Sequence, residues 1–280
     1  MTKVIVAREA GACYGVERAL ELVRDVAAHT DGPVHTLGPL IHNPVVVAEL
    51  EELGVTVAKD ADVEPGSTLV LRTHGVAPEV EEQARAAGAS VVDATCPFVK
   101  RVHRSAERLV REGYQLVVVG ESGHPEVEGI VGHAPGATVV GSPSEVDGLE
   151  LGRKVGVVVQ TTQARANLQA IVAALAGRAD ELRVINTICD ATAGHQGACA
   201  ELAAAVDVMI VVGGHNSANT THLAEISRER CPRTHHIELP SELDDSWFAE
   251  AERIGVTAGA STPSSHIEAV VDAIRGLTER

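Results

Sequence analysis

Three cysteines stand at matched places in this chain, and that recurrence limits the fold more tightly than any other feature. Cys13 follows VIVAREAGA, Cys96 follows SVVDAT and Cys189 follows LRVINTI, so each ends a strand-like run and opens a helical one. The intervals are 96 − 13 = 83 and 189 − 96 = 93 residues, with 280 − 189 = 91 remaining. After each cysteine helix comes a strand ending in Gly38, Gly120 or Gly213, at offsets of 25, 24 and 24. A polar loop follows (LIHNP, ESGHPE or GHNSAN), placing His42, His124 and Ser217 at offsets of 29, 28 and 28. A later strand in each segment runs into RTHG, QTT or AGAST, which carry Thr73 with His74, Thr161 with Thr162, and Ser261 with Thr262. Agreement of several registers in three segments predicts three similar units.

Between these landmarks, short Val/Ile/Leu runs read as buried parallel strands: Val4–Ala7, Leu69–Leu71, Ser90–Val92, Leu116–Val119, Val155–Val159, Leu182–Ile185, Val208–Val212 and Gly255–Ala258. Helical stretches alternate with them over Val16–Ala28, Glu79–Ala87, Phe98–Glu112, Arg165–Ala176, Ala200–Ala205, Thr221–Arg230 and Ser264–Gly276. The expected class is α/β, with three similar parallel-sheet lobes in pseudo-threefold arrangement around a central site. Their expected bounds are 1–95, 96–188 and 189–280. In parallel sheets ligands bind beyond the carboxyl ends of the strands, so each lobe is expected to bring a cysteine and polar loop residues to that site.

Composition narrows the chemistry. Aromatics are 2% of the chain, so a ligand pocket must rest on Gly, His, Ser, Thr, Asn and charge rather than on stacking rings. A net charge of −16 argues against nucleic acid or an anionic membrane as partner. No secretory leader is read, and the apolar runs are too short to span a bilayer. Five widely spaced cysteines do not resemble a secreted disulfide framework, which places the protein in a reducing cytoplasm.

There, three readings of the matched cysteines stay open: ligands of a metal or cluster, inert buried thiols, or a nucleophile. Zinc favours local Cys pairs, and no C-x2-C occurs. An iron–sulfur cubane on three thiolates leaves one iron open to substrate, and helix N-termini after each cysteine favour thiolate. Cys199 and Cys231 fall outside the register and read as plain thiols. His42, His74, His124, Thr161, Ser217, Asn219 and Ser261 form a donor-rich set suited to a diphosphate, although Ser, Thr and Asn there are equally ordinary N-caps. Glu126, in GHPEVEG, is a candidate proton donor with Glu128 as its competitor; the alternative is a surface carboxylate at a helix start. The remaining histidines, among them His103, His133, His195, His215, His235 and His236, follow no threefold logic and read as surface or supporting residues.

The segments ACYGVERAL, GPLIHNP, THGV, DATCPFVKRVH, GHPEVEG, QTT, NTICDAT, GGHNSANTTHLAEI and TAGAS resemble the LytB/IspH family of 4-hydroxy-3-methylbut-2-enyl diphosphate reductases, over about residues 4–275. The resemblance implies a three-lobed α/β enzyme holding a 4Fe–4S cluster on Cys13, Cys96 and Cys189. It implies the last step of the methylerythritol phosphate route, in which the substrate's hydroxyl is lost as water and isopentenyl and dimethylallyl diphosphates form. Electrons would come from ferredoxin or flavodoxin. It assigns the diphosphate to His42, His74, Ser217, Asn219 and Ser261 with His124 nearby, the proton source to Glu126, and contact with the substrate hydroxyl to Thr161.

Four positions depart from the family's pattern: Ala218 within the usual SSN, Arg72 in RTHG for SAHG, EGIVGH for EGTMGQ, and His195-Gln196 for Arg-Gln. They bear on the anionic end of the substrate and leave room for a paralogue acting on another allylic diphosphate. A non-catalytic iron–sulfur sensor would have no need of Glu126 and Thr161 in a donor-rich cavity. A metal-dependent hydrolase would call for a His/carboxylate cluster.

Overall fold

A computed structural model describes residues 2–279; Met1 and Arg280, which the expected outer lobes include, lie outside the described residues. In chain order the first elements are β1 (Lys3–Val6), α1 (Tyr14–His29), β2 (Val34–Leu37), α2 (Pro44–Glu52), β3 (Val55–Ala58), β4 (Thr68–Leu71), α3 (Pro78–Ala86) and β5 (Ser90–Asp93). Next come α4 (Pro97–Arg111), β6 (Gln115–Val119), α5 (Pro125–His133), β7 (Thr138–Val140), α6 (Pro143–Val146), β8 (Lys154–Val159), α7 (Arg165–Ala176) and β9 (Glu181–Val184). The last are α8 (Asp190–Ala203), β10 (Val208–Val212), α9 (Ala218–Arg228), β11 (Thr234–Ile237), β12 (Arg253–Ala258) and α10 (Ser264–Thr278). Helices α2 to α6 all start on proline, whose fixed φ suits the first helical position and whose missing N–H costs nothing there.

The strands form three four-stranded parallel sheets, ordered β3-β2-β4-β5, β7-β6-β8-β9 and β11-β10-β12-β1. The α/β class and the three similar sheets are thus as expected. Inner strands β4, β6, β8 and β10 are almost continuous apolar runs, as suits strands covered by helices on both faces, whereas inner strand β2 is VHTL. In the sheet of β6 and β8, Val117, Val119, Val155 and Val157 pack with Leu168 and Ile171 of α7. Leu116, Val118 and Val158 turn the other way, onto Val102, Ala106 and Leu109 of α4 and Ile130 of α5.

The expected lobe 1–95 is corrected at its start. β1 is not in the first sheet; it pairs with β12, Val4 opposite Ile254, and closes the sheet formed by the end of the chain. The chain divides into two compact units. The first contains the N-terminal segment through Val16, the short segment His42–Val46 and the chain from Asp190 onward. The second contains Glu17–Ile41 and Val47–Cys189, and with them the sheets of β2–β5 and β6–β9.

Further differences are local, and helices α2 and α6 lie where no helix is expected. The expected helix at Ala200–Ala205 begins at Asp190, because burial of Ala198, Cys199 and Ala203 outweighs the weak helix propensity of Thr192, Gly194 and Gly197. Strands β3, β7 and β11 carry no long apolar run, and each is one of the two edge strands of its sheet.

Candidate functional site

Each matched cysteine is the residue immediately before a helix: Cys13 before α1, Cys96 before α4 and Cys189 before α8. Each also donates its backbone N–H to a carbonyl in the loop after the neighbouring inner strand. In the first unit Cys13 binds Ala260 at 3.1 Å; in the second, Cys96 binds Thr73 and Cys189 binds Thr161, both at 3.0 Å. Three equivalent tethers hold three half-buried cysteines at helix N-termini. Cys199 and Cys231 differ. Both are buried, Cys199 Sγ lies 3.0 Å from Ser227 Oγ, and burial pushes both thiols up from the ordinary range.

Among the described residues, no three His, Cys, Asp or Glu side chains are grouped to hold a single metal ion. A cluster of several irons takes its thiolates at separate corners, one to an iron, and so does not need three donors converging on a single ion. By the chemistry of the donor set, the three cysteines fit that group.

The hydroxyls of the second landmark separate the three segments. Thr73 Oγ1 donates to the Leu40 carbonyl at 2.9 Å, and Ser261 Oγ to the His42 carbonyl at 3.2 Å. Thr161 Oγ1 instead donates to a carboxylate, Glu126 Oε2, at 2.8 Å, while Thr161 N–H donates to Glu126 Oε1 at 2.6 Å. Glu126 is 2% exposed, on the first turn of α5. Burial pushes its carboxyl up to about 7, against the two Thr161 hydrogen bonds, which pull it down. Its competitor Glu128 is exposed.

His124 precedes α5 and accepts the Glu126 N–H on Nδ1 at 3.1 Å, which leaves its proton on Nε2. The His74 ring stands edge-on to it, centroids 5.6 Å apart. The second unit thus gathers Glu126, Thr161, His124 and His74. Arg72 is half-buried; burial lowers its pKa against the charge of Glu128, and its guanidinium lies over Gly38.

In the first unit, Ser217 caps α9 by accepting the Thr220 N–H at 3.4 Å, so the ordinary capping role is real. Asn219 is 4% exposed, and among the described residues neither its amide nitrogen nor its amide oxygen has a hydrogen-bond partner. A buried amide in that state costs folding free energy unless something polar meets it. Ser261 reaches the same segment through His42, and there the sequence reading overlooked Asn43. This buried side chain donates to the Ser261 carbonyl at 2.9 Å and accepts the N–H groups of Val45 and Val46 at 3.1 and 3.3 Å. The Asn-Pro at the start of α2 was the available signal, since Asn before a helix-opening Pro is a capping pair. Of the histidines outside the threefold register, read as surface or supporting residues, His103 and His195 are buried, at 5% and 6% exposed.

Comparison with known proteins gives concordant results. The family model described as LytB protein matches residues 4–275. The chain is 50% identical over 277 residues to the 4-hydroxy-3-methylbut-2-enyl diphosphate reductase of Geobacter sp. (strain M21), covering 98% of both chains. It is 48% identical over 274 residues to the reductase of the same name from Geobacter sulfurreducens, covering 98% of this chain and 97% of that one. A solved structure described as (E)-4-hydroxy-3-methyl-but-2-enyl diphosphate reductase, the terminal enzyme of the non-mevalonate pathway, matches with a TM-score of 0.72 at 42% identity, covering 99% of this chain and all of that one (100%). The E-1-hydroxy-2-methyl-but-2-enyl-4-diphosphate reductase from Plasmodium falciparum matches with a TM-score of 0.94 at 28% identity, covering 98% and 88%.

Proposed function

The chain belongs to the LytB protein family, and from that membership and the buried Glu126–Thr161 pair we propose that it reductively dehydroxylates 4-hydroxy-3-methylbut-2-enyl diphosphate. The products are isopentenyl and dimethylallyl diphosphates. The overall change consumes two electrons and two protons: one proton leaves with the hydroxyl as water, and the other is taken up at an allylic carbon. A 4Fe–4S cluster held by Cys13, Cys96 and Cys189 would supply the electrons and an iron with Lewis acidity. Reduced ferredoxin or flavodoxin in the cytoplasm is the electron source in this reading. No helix among the described residues is long and apolar enough to cross a membrane.

The observation that carries the proposal is that, of the landmark hydroxyls of Thr73, Thr161 and Ser261, that of Thr161 meets a buried carboxyl group, whereas the other two donate to backbone carbonyls. With its pKa raised to about 7, Glu126 holds a proton at physiological pH in a useful fraction of molecules. When Glu126 is protonated, its O–H donates to Thr161 Oγ1, and the Thr161 hydroxyl proton turns outward. A proton given up by Thr161 to a leaving hydroxyl is then replaced from Glu126, and the pair acts as a two-membered relay. Thr161 N–H keeps Glu126 oriented through both states.

In the first unit we assign the diphosphate to Ser217, Asn219 and Ser261, with His42. The unmet amide of Asn219 supports this, since a diphosphate oxygen accepts from it. In the second unit His74 and His124 are further donors, His124 through Nε2–H. Ala218 begins α9 without the hydroxyl that the resembling family places there, which favours testing related allylic diphosphates alongside the expected substrate.

The deciding experiment is anaerobic turnover of 4-hydroxy-3-methylbut-2-enyl diphosphate with a chemically reduced dye, followed by product analysis. Formation of the two five-carbon diphosphates is the expected result. No turnover of that substrate, with turnover of another allylic diphosphate, would reassign the enzyme as a paralogue. A cluster-loaded protein that turns over none of them would leave the sensor reading.

A further inference from the structure

The loop from Gly213 to Ser217, which delivers Ser217 and Asn219, is tied down by residues of the edge strand β11. Gly213 N–H donates to the Ile237 carbonyl at 2.9 Å, and the Gly213 carbonyl meets His236 Nε2 at 2.8 Å. A carbonyl can only accept, so His236 Nε2 bears a proton and donates it. Two residues further, His215 N–H donates to Glu238 Oε1 at 2.8 Å, and the His215 ring lies against His236 with centroids 4.2 Å apart. Burial holds the His236 pKa below its ordinary value, so the ring is neutral and keeps a single directed donor.

The other side of the loop is closed by packing. Gly213 has φ +139°, open to glycine and rarely to other residues, and a Cβ there would lie 2.6 Å from Thr262 Oγ1 and 3.0 Å from Thr220 Oγ1. The peptide plane at Gly213 is therefore set by two forces: contact with Thr220 and Thr262, and the hydrogen bond from His236. Ser217 N–H then closes on the Gly214 carbonyl at 3.0 Å, and α9 begins with Asn219 in its first turn. Removing the His236 donor leaves a buried-side carbonyl unmet and frees the one peptide whose orientation aims the turn.

We propose that His236 and Glu238 are positioning residues that hold the Gly213–Ser217 loop in its anion-binding shape, so that diphosphate affinity depends on them while the chemical step does not. This rests on the reading of Ser217 and Asn219 as diphosphate donors. A glutamine at 236 places its amide nitrogen near the position of His Nε2 and restores the donor, whereas leucine preserves bulk without it.

The test is calorimetric titration of inorganic diphosphate, together with anaerobic steady-state turnover, on the cluster-loaded wild type, His236→Leu, His236→Gln and Glu238→Ala. In His236→Leu, the Kd for inorganic diphosphate and the KM for substrate should rise about tenfold, with kcat within about twofold. His236→Gln should recover to within about threefold of wild type, and Glu238→Ala should show a rise in KM of about threefold. An unchanged Kd in His236→Leu, a kcat that falls with KM, or a glutamine variant as impaired as leucine would overturn the positioning role alone. A wild type that fails to bind inorganic diphosphate would overturn the donor reading of Ser217 and Asn219, and this inference with it. Should His236→Leu not fold, Glu238→Ala decides by the same KM-against-kcat comparison.

Discussion

At the scale of single residues, Glu126 and Thr161 set the acid–base behaviour. Glu126→Gln keeps the side chain's shape and can still accept the Thr161 N–H, so diphosphate binding should persist while turnover drops by roughly 100-fold or more, as read by kcat. For the wild type, the protonated acid is lost as pH rises through about 7, and kcat should fall on that limb. Thr161→Val removes a hydrogen bond that favours the carboxylate, so the Glu126 carboxyl should titrate at higher pH when read by infrared difference spectroscopy, while kcat drops with the loss of the relay hydroxyl. Stability is linked to the same proton. The folded chain holds it up to about 7, whereas the unfolded chain releases it near 4.5, so stability falls as pH rises through that window. The contribution is on the order of 3 kcal/mol, and denaturant unfolding of Glu126→Gln should show a flatter dependence between those pH values. The importance of this pair was half legible in the sequence. GHPEVEG marked a carboxylate at a helix start, but Glu126 and Glu128 are two residues apart on one helix, and only packing buries one and exposes the other.

At the scale of elements, α5 carries the acid and is held by close backbone approach. A Cβ on Gly132 would lie 2.2 Å from Ala77 Cβ and 2.8 Å from Ala77 Cα, an approach that backbone cannot relieve cheaply. Gly132→Ala should therefore destabilise by about 1–3 kcal/mol in denaturant unfolding, and kcat should fall as α5 shifts. Gly197 is the contrast: exposed in α8, with nothing within 4 Å of an added Cβ. Gly197→Ala should raise stability by roughly 0.5–1 kcal/mol through reduced backbone entropy in the unfolded chain, with turnover unchanged. Element type followed from the sequence wherever the pattern was strong, as in α4, whose buried Val99, Val102, Ala106 and Leu109 keep helical spacing. It failed at β3, β7 and β11, the same edge position in all three sheets. An edge strand needs only one paired side, so THHI can hold that place without an apolar run.

At the scale of the whole molecule, the cysteines and β1 carry the predictions. Changing Cys13, Cys96 or Cys189 to Ser should strip iron and the cluster's visible absorbance from anaerobically purified protein, which should otherwise hold about four irons per chain. Cys199→Ser should leave both in place, because that thiol is buried against Ser227 and Leu223. Deleting the β1 segment should expose the edge of β12 and raise amide exchange in β10 and β12, while the sheets of β2–β5 and β6–β9 keep their protection. By itself the sequence determined the parallel α/β class, the threefold recurrence of its landmarks and the placement of a cysteine before each of three helices, because local periodicity and spacing encode them directly. Only the tertiary structure decided that β1 closes the last sheet, that Glu126 rather than Glu128 is buried on Thr161, and that the buried Asn219 amide meets no partner among the described residues. These depend on contacts between residues far apart in the chain, where burial and hydrogen-bond satisfaction are settled by packing and not by any local pattern.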